Sequence, residues 1–232
     1  MAQLVWSSID DHPVLSRWSA TLRLFVRWLF VAIPLLPFST AFADAKALDR
    51  IEAVLAAFDR LDLDFEQYVH GAEGELVEFA TGRFLMERPK FRWMVDDPYP
   101  QVIVSNGDWL KVYDPDLEQV TESSLSEALQ GTPLGILSRT DGRIRDEFDV
   151  LTHDSDKGAD YYMLAPRKPD SKAQRVEIWL KGRTLDRLDV TDESGGRLRL
   201  QFKASKDAGN HEPWKGNPWL LDVPPGTEVI QG

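Results

Sequence analysis

Few side chains in this chain have the types and spacings that catalysis needs. Beyond residue 43 the histidines are His70, His153 and His211. None belongs to the H-E-x-x-H pair that sets two imidazoles and a general base on one helix face, so zinc hydrolysis has no motif here. No G-x-S-x-G elbow raises a serine nucleophile, and no glycine-rich phosphate cradle precedes a helix. Asp154-x-Asp156 followed by Gly158 echoes a calcium loop, but the glycine comes one place early and no Glu closes it, so the stretch reads as a turn. Asp96-Asp97 reads as a solvated pair in an acidic chain. No catalytic residue, metal ligand set or cofactor is therefore expected. What remains is binding chemistry. Arg88 precedes Pro89, and its guanidinium forks five donors over several acceptors while staying charged. Phe91 and Trp93 occupy alternate positions of one strand pattern and share a face. Leu134, Ile136 and Leu137 form the apolar side of a short helix opened by Thr132-Pro133.

The elements that must position these groups follow from periodicity. Asp44 is a candidate N-cap for a helix with Leu48, Ile51, Leu55 and Phe58 on one side. After it the pattern switches to period two. Leu61, Leu63 and Phe65 alternate with acidic neighbours, and strand signals recur near 75–86, 91–95, 101–105, 109–114, 117–121, 146–152, 160–165, 174–181, 184–191, 197–204 and 219–223. In the last-but-one of these, Leu198, Leu200 and Phe202 alternate with Arg197, Arg199, Gln201 and Lys203, giving one apolar and one wet side. Turn signals at Gly71 to Gly74, Asn106-Gly107, Asp141-Gly142, Gly158, Lys181-Gly182 and Gly195-Gly196 make neighbours antiparallel, and so many half-wet strands build a curved sheet or barrel. Between 123 and 140 a capping box at Ser124-x-x-Glu127 opens one helical stretch, Leu125–Gln130, and Thr132-Pro133 opens a second, Leu134–Arg139. Residues 205–218 read as a polar loop, and no repeat or second domain is evident.

The N-terminus has its own logic. Arg17, Arg23 and Arg27 precede an apolar run from Trp28 to Phe38, and Ala41-Phe42-Ala43 places small residues where signal peptidase needs them. Residues 1–43 read as a cleaved Sec-type signal, with cut between Ala43 and Asp44, leaving residues 44–232 as one domain. The run is too short for a membrane anchor, which needs about 20 apolar residues. The chain has no cysteine, so an exported form has no disulfides and no thiol to carry a lipid. Its formal net charge is −11. Such a surface is repelled by nucleic acid and by anionic headgroups, which excludes both as stable partners and argues for a protein free of the membrane.

The stretch from Gly82 to Glu122 (GRFLMERPKFRWMVDDPYPQVIVSNGDWLKVYDPDLEQVTE) sets out Arg88-Pro89, Phe91-Arg92-Trp93, Ser105-Asn106-Gly107, Trp109–Tyr113 and Asp114-Pro115 in order, and Gln130-Gly131-Thr132-Pro133-Leu134 follows. This succession resembles the LolA family of periplasmic outer-membrane lipoprotein carriers, over most of the chain after residue 44. The resemblance implies a mainly β fold with α: a single-domain, unclosed antiparallel β-barrel with an N-terminal helix and a helical lid. It implies that Phe91, Trp93, Ile103 and Leu110 line an acyl-chain cavity, and that Thr132, Pro133, Leu134, Ile136 and Leu137 belong to a lid helix that plugs it when empty. It makes Arg88 the latch that hydrogen bonds to lid carbonyls. It further implies a monomeric periplasmic chaperone, not an enzyme, that receives acylated lipoproteins from the inner-membrane ABC transporter LolCDE and delivers them to the receptor LolB.

Two departures keep other readings open. Only Lys90 separates Pro89 from Phe91 where the family usually has two residues, and Gly135 stands where a larger apolar residue is common. A LolA-like paralogue carrying another lipid or amphiphile in a dedicated envelope pathway fits these residues too. A periplasmic enzyme acting on lipid or glycan would need titratable side chains gathered inside the cavity.

Overall fold

The computed structural model describes residues 40–125, 133–138, 144–168, 171, 173–205 and 217–231, with backbone alone at 40–44 and 133–134. Helix α1 spans Thr40–Ala56. The strands that follow are β1 (Arg60–His70), β2 (Leu76–Glu87), β3 (Lys90–Asp97), β4 (Gln101–Ser105), β5 (Trp109–Asp114) and β6 (Gln119–Ser124). After the short helix α2 (Pro133–Ser138) come β7 (Phe148–Asp156), β8 (Ala159–Pro166), β9 (Ala173–Lys181), β10 (Thr184–Asp192), β11 (Arg197–Ala204) and β12 (Glu228–Gln231). All belong to one open sheet with strand order β12-β6-β5-β4-β3-β2-β1-β11-β10-β9-β8-β7.

Alternation decides the two faces. One face carries Leu63, paired with Phe84, which pairs with Trp93, then Ile103, then Val112, so a single apolar row crosses β1 to β5. On the other side of β1 the same face continues through Phe65 beside Phe202, and through Leu200, Leu188, Ile178 and Tyr162. These side chains and Ala47, Ile51, Leu55 and Phe58 of the α1 region form one buried apolar cluster, which also takes in Ile136 and Leu137 of α2. The sheet therefore curls around α1 and α2, and each large apolar side chain removed from water contributes about 1.5–3 kcal/mol.

Two local readings are corrected. The helix begins at Thr40, so Asp44 lies inside it rather than capping it; the alanines at 41, 43 and 45 are the best helix formers and carry it upstream. Residues 219–223 form no strand. The backbone there turns at Asn217, whose side-chain carbonyl accepts from Trp219 N at 3.0 Å, while the carbonyls of Pro218 and Leu220 are taken by Arg92 Nη1 at 3.1 Å each. The last strand is instead β12, which joins β6 in parallel, the one parallel pairing among the described residues. Leu85 and Val104 flank Arg92 in register and are buried on the convex face. The stretch at 154–158 holds the β7–β8 hairpin turn, as expected from its sequence, with Lys157 at φ 47° and Gly158 at φ 84°, the positive-φ pair that a tight hairpin requires. The Leu125–Gln130 helix, the 205–218 loop and the Asp141-Gly142 turn fall almost wholly outside the described residues.

Candidate functional site

The β2–β3 turn is the two residues Arg88-Pro89. It is pinned by two contacts of Arg88. Its backbone N–H donates to the Asp59 carbonyl at 3.1 Å, and Nη2 donates to the carbonyl of Leu137 at 3.0 Å. Leu137 lies in the last turn of α2, where helix carbonyls have no partner within the helix and carry partial negative charge. A guanidinium is a suitable cap for such a group.

The neighbouring turn explains the Ser-Asn-Gly motif. Gly107 has φ 106°, and a Cβ there would meet Pro89 Cγ at 2.6 Å, so the β4–β5 turn rests directly on the proline. Ser105 Oγ donates to the Trp109 carbonyl at 2.7 Å and accepts from Gly107 N at 3.0 Å. Asn106 Oδ1 accepts from the backbone N–H groups of Asp108 and Trp109. Asp114 closes the next turn in the same manner, accepting from Asp116 N and Leu117 N. The Arg-Pro and Ser-Asn-Gly motifs, separate in sequence, are thus adjacent turns at one end of the sheet, and the Asp114 turn lies at the other.

Phe91 and Leu110 lie in one concave row, joined through Ser105, and Trp93 and Ile103 lie in the next. Phe91, Trp93 and Leu110 are buried, and Ile103 packs against the same cluster. Trp93 stacks on Phe65 with ring centroids 3.9 Å apart, and Phe84 tilts against both Trp93 and Phe91. Ile136 and Leu137 share this cluster. The structure therefore brings Arg88, the four wall residues and α2 together. Pro133 and Leu134 contribute backbone to α2; Thr132 lies outside the described residues.

Sequence reasoning missed two features. Gly82 faces Phe65 across β1–β2, and a Cβ at Gly82 would lie 1.8 Å from Met94 O and 2.6 Å from the Phe65 ring. The second is a polar island on the otherwise apolar concave face. Asp160 and Tyr162 point inward with Leu164, and β7 sets His153 opposite Tyr162. The imidazole stacks on the Tyr162 ring at 4.5 Å and its Nε2 is 3.6 Å from Asp160 Oδ1. Arg50 of α1 reaches Asp160 at 3.0 Å. Burial alone would raise the Asp160 carboxyl, but a Ser155 hydrogen bond and the Arg50 charge leave it below its usual range. Burial and the Asp160 charge push the Tyr162 phenol up to about 12. The signal for this island was present in the 159–166 run, where an Asp and a Tyr occupy alternate positions with Leu164. A second tie holds α1: Glu52 accepts from Ile144 N, Arg145 N and the Arg145 guanidinium. Among the described residues no three His, Asp or Glu side chains gather as metal ligands.

The site thus consists of an apolar concave wall, a short apolar helix packed in the same cluster and an arginine bonded to a carbonyl of that helix. Comparison with known proteins adds the following likenesses. The model of the family described as "Outer membrane lipoprotein carrier protein LolA" matches residues 56–212. The chain is 31% identical over 211 residues to the outer-membrane lipoprotein carrier protein of Azotobacter vinelandii, covering 90% of this chain and 100% of that one. It is 29% identical over 202 residues to that of Chromohalobacter salexigens, covering 87% and 92%. Among solved structures, a LolA superfamily protein from Nitrosomonas europaea aligns over 69% of this chain and 91% of its own, with a TM-score of 0.40 and 15% identity.

Proposed function

Given that the chain belongs to the LolA family of outer membrane lipoprotein carrier proteins, we propose that it carries lipoproteins through the periplasm by covering their acyl chains. The observation that carries this reading is the shared surface: Ile136 and Leu137 of α2 lie in the same apolar cluster as Phe91, Trp93 and Leu110. Acyl chains bind where the helix now packs. Each buried methylene contributes about 0.8 kcal/mol, and the helix competes for that same area, so the empty protein hides its apolar wall and the loaded one releases its helix. Arg88 is the latch of the empty state, and its bond to the Leu137 carbonyl breaks as cargo enters. Thr132, Pro133 and Leu134 belong to the moving segment. Phe91, Trp93, Ile103 and Leu110 become the wall of the acyl-chain cavity.

In this reading residues 1–43 direct export and are removed between Ala43 and Asp44, and the monomeric carrier takes its cargo from LolCDE and delivers it to LolB. The energy comes from ATP hydrolysis at the transporter. The test is to incubate the purified protein with inner-membrane vesicles holding a triacylated lipoprotein and LolCDE, add ATP, and look for a soluble one-to-one complex by gel filtration and native mass spectrometry. Its formation supports the carrier; a protein that leaves the vesicles with other lipids instead is the specialised paralogue.

A further inference from the structure

The polar island of β7 and β8 has no part in the latch, though Tyr162 shares the buried apolar cluster, and its geometry calls for a ligand. Tyr162 is fully buried, and among the described residues its hydroxyl has no hydrogen-bond partner. Its neighbour Tyr161 shows the contrast: it faces outward, packs on Trp179 and donates to Glu177 at 2.7 Å. A hydroxyl withdrawn from water and left without an acceptor is unfavourable, so such groups in native proteins call for a reason.

Register gives the place. The β7–β8 turn lies at the same end of the sheet as the Arg88-Pro89 turn: the start of β1 pairs with the end of β2, and β1 with the end of β11. The start of β10 pairs with the end of β9, which pairs with the start of β8. The island therefore sits at the end of the concave face where α2 is held. Arg50 is half exposed there, with 52% of its side chain accessible, while its partner Asp160 is buried, which marks the island as the rim between core and water. The one cation of the cluster with a fixed partner is thus neutralised, and what the site offers inward is hydrogen bonding.

Acylated cargo carries acceptors in the matching position. Each chain ends in an ester or amide carbonyl, and chains laid into the apolar wall leave those carbonyls at its rim. The geometry points to Tyr162 as a polar anchor that donates its hydroxyl proton to an acyl ester carbonyl of the bound ligand, with His153 and Asp160 holding the ring in place. This inference rests on the carrier reading and adds to it a residue that fixes how deep the chains sit. It also explains an inward hydroxyl on a face built for hydrocarbon: the cargo carbonyl supplies the acceptor that the described residues do not.

The experiment compares wild type with Tyr162→Phe, purified from the periplasm, binding two probes: a synthetic triacylated lipopeptide and its ether-linked analogue, which has the same chains without ester carbonyls. The expected result is affinity for the ester probe about 5- to 10-fold weaker in the variant, the size of one neutral hydrogen bond, with the ether probe unchanged and the thermal midpoint of the empty variant equal or higher. Equal losses on both probes, or no loss on either, overturn the anchor and leave the carrier reading standing. Wild type that binds neither probe overturns the carrier reading and the anchor with it. An independent check needs no variant: the isotope-labelled ester carbonyl stretch of the lipopeptide shifts to lower frequency on binding to wild type, and an unshifted band overturns the proposal.

Discussion

Arg88 and Leu137 meet across the mouth of the curled sheet: the guanidinium Nη2 lies 3.0 Å from the carbonyl oxygen in the last turn of α2. One side chain from a strand turn thus holds a helix of six residues that is too short to persist by its own hydrogen bonds. Replacing Arg88 with Leu removes a charge-assisted bond of about 1.5–3 kcal/mol. Amide exchange at Ile136 to Ser138 is expected to accelerate by 10-fold or more, a factor that corresponds to about 1.4 kcal/mol, while exchange in β9 to β11 stays as it was. Arg88→Lys should fall between, since an ammonium reaches one acceptor without the fork. Unchanged exchange in α2 would remove the latch.

Gly82 makes room for the aromatic stack behind the wall. Gly82→Ala places a methyl against the Met94 carbonyl and the Phe65 ring, and both belong to paired strands that have little freedom to shift. A loss of about 2–3 kcal/mol is expected in urea unfolding, the usual scale of overpacking in a dense core. The near-ultraviolet signal of Trp93, whose ring lies 3.9 Å from Phe65, should change with it.

Asp189 anchors the convex face of β9 to β11. It is 1% exposed, bonds to Arg187 at 2.8 Å and to Arg199 at 3.1 Å, and Arg187 in turn lies 3.8 Å over the Trp179 ring. Burial alone would raise its carboxyl, but the two arginines more than offset this and hold it below its ordinary 3.8. A carboxylate depressed in the folded state contributes stability that is complete above 3.8 and is lost as pH falls through the folded value. Stability should therefore decline from about pH 5 towards pH 2, and Asp189→Asn should flatten that decline. At neutral pH the same variant should lose about 2–4 kcal/mol by urea unfolding, since it breaks a buried pair and leaves two arginines short of a partner.

Arg92 ties the C-terminal segment to the convex face through the carbonyls of Pro218 and Leu220. Arg92→Ala should free that segment. Limited proteolysis is expected to cut between Asn217 and Val223 at least several-fold faster than in wild type, with the sheet otherwise intact; cleavage at the wild-type rate would mean that other contacts hold the segment.

Much of the architecture was legible because alternation is a local signal. The concave row from Leu63 to Val112 and the strand with Leu198, Leu200 and Phe202 follow from period two, and Asn106-Gly107 and Lys181-Gly182 announce their own turns. Phe91 and Trp93 could be put on one face by counting. What escaped depends on partners far away in the chain. Val229 and Ile230 form a strand only because β6 offers an edge; four residues after Pro224-Pro225-Gly226 carry no pattern of their own. The apolar residues at 219–223 looked like a strand, yet Arg92 claims their backbone carbonyls. Tyr162 falls in the strand pattern near 160–165, and nothing local says that its hydroxyl has no acceptor among the described residues. Arg88 was singled out by resemblance, since an isolated Arg-Pro pair says nothing about a helix carbonyl nearly fifty residues on.

The strand order carries a consequence for how the molecule assembles and survives damage. β1 to β6 are consecutive neighbours and zip by short hairpins, as do β7 to β11, so each half of the chain forms quickly from nearby pairs. The two ladders that join the halves, β1 with β11 and β6 with β12, both draw on the end of the chain. The later half thus grips the earlier one at both flanks, the first closed by β11 and the second only by β12. A chain nicked between Leu125 and Pro133 would keep both ladders and stay a single particle, whereas one shortened by its last fifteen residues would expose β6 as a bare edge, ready to pair with a second molecule.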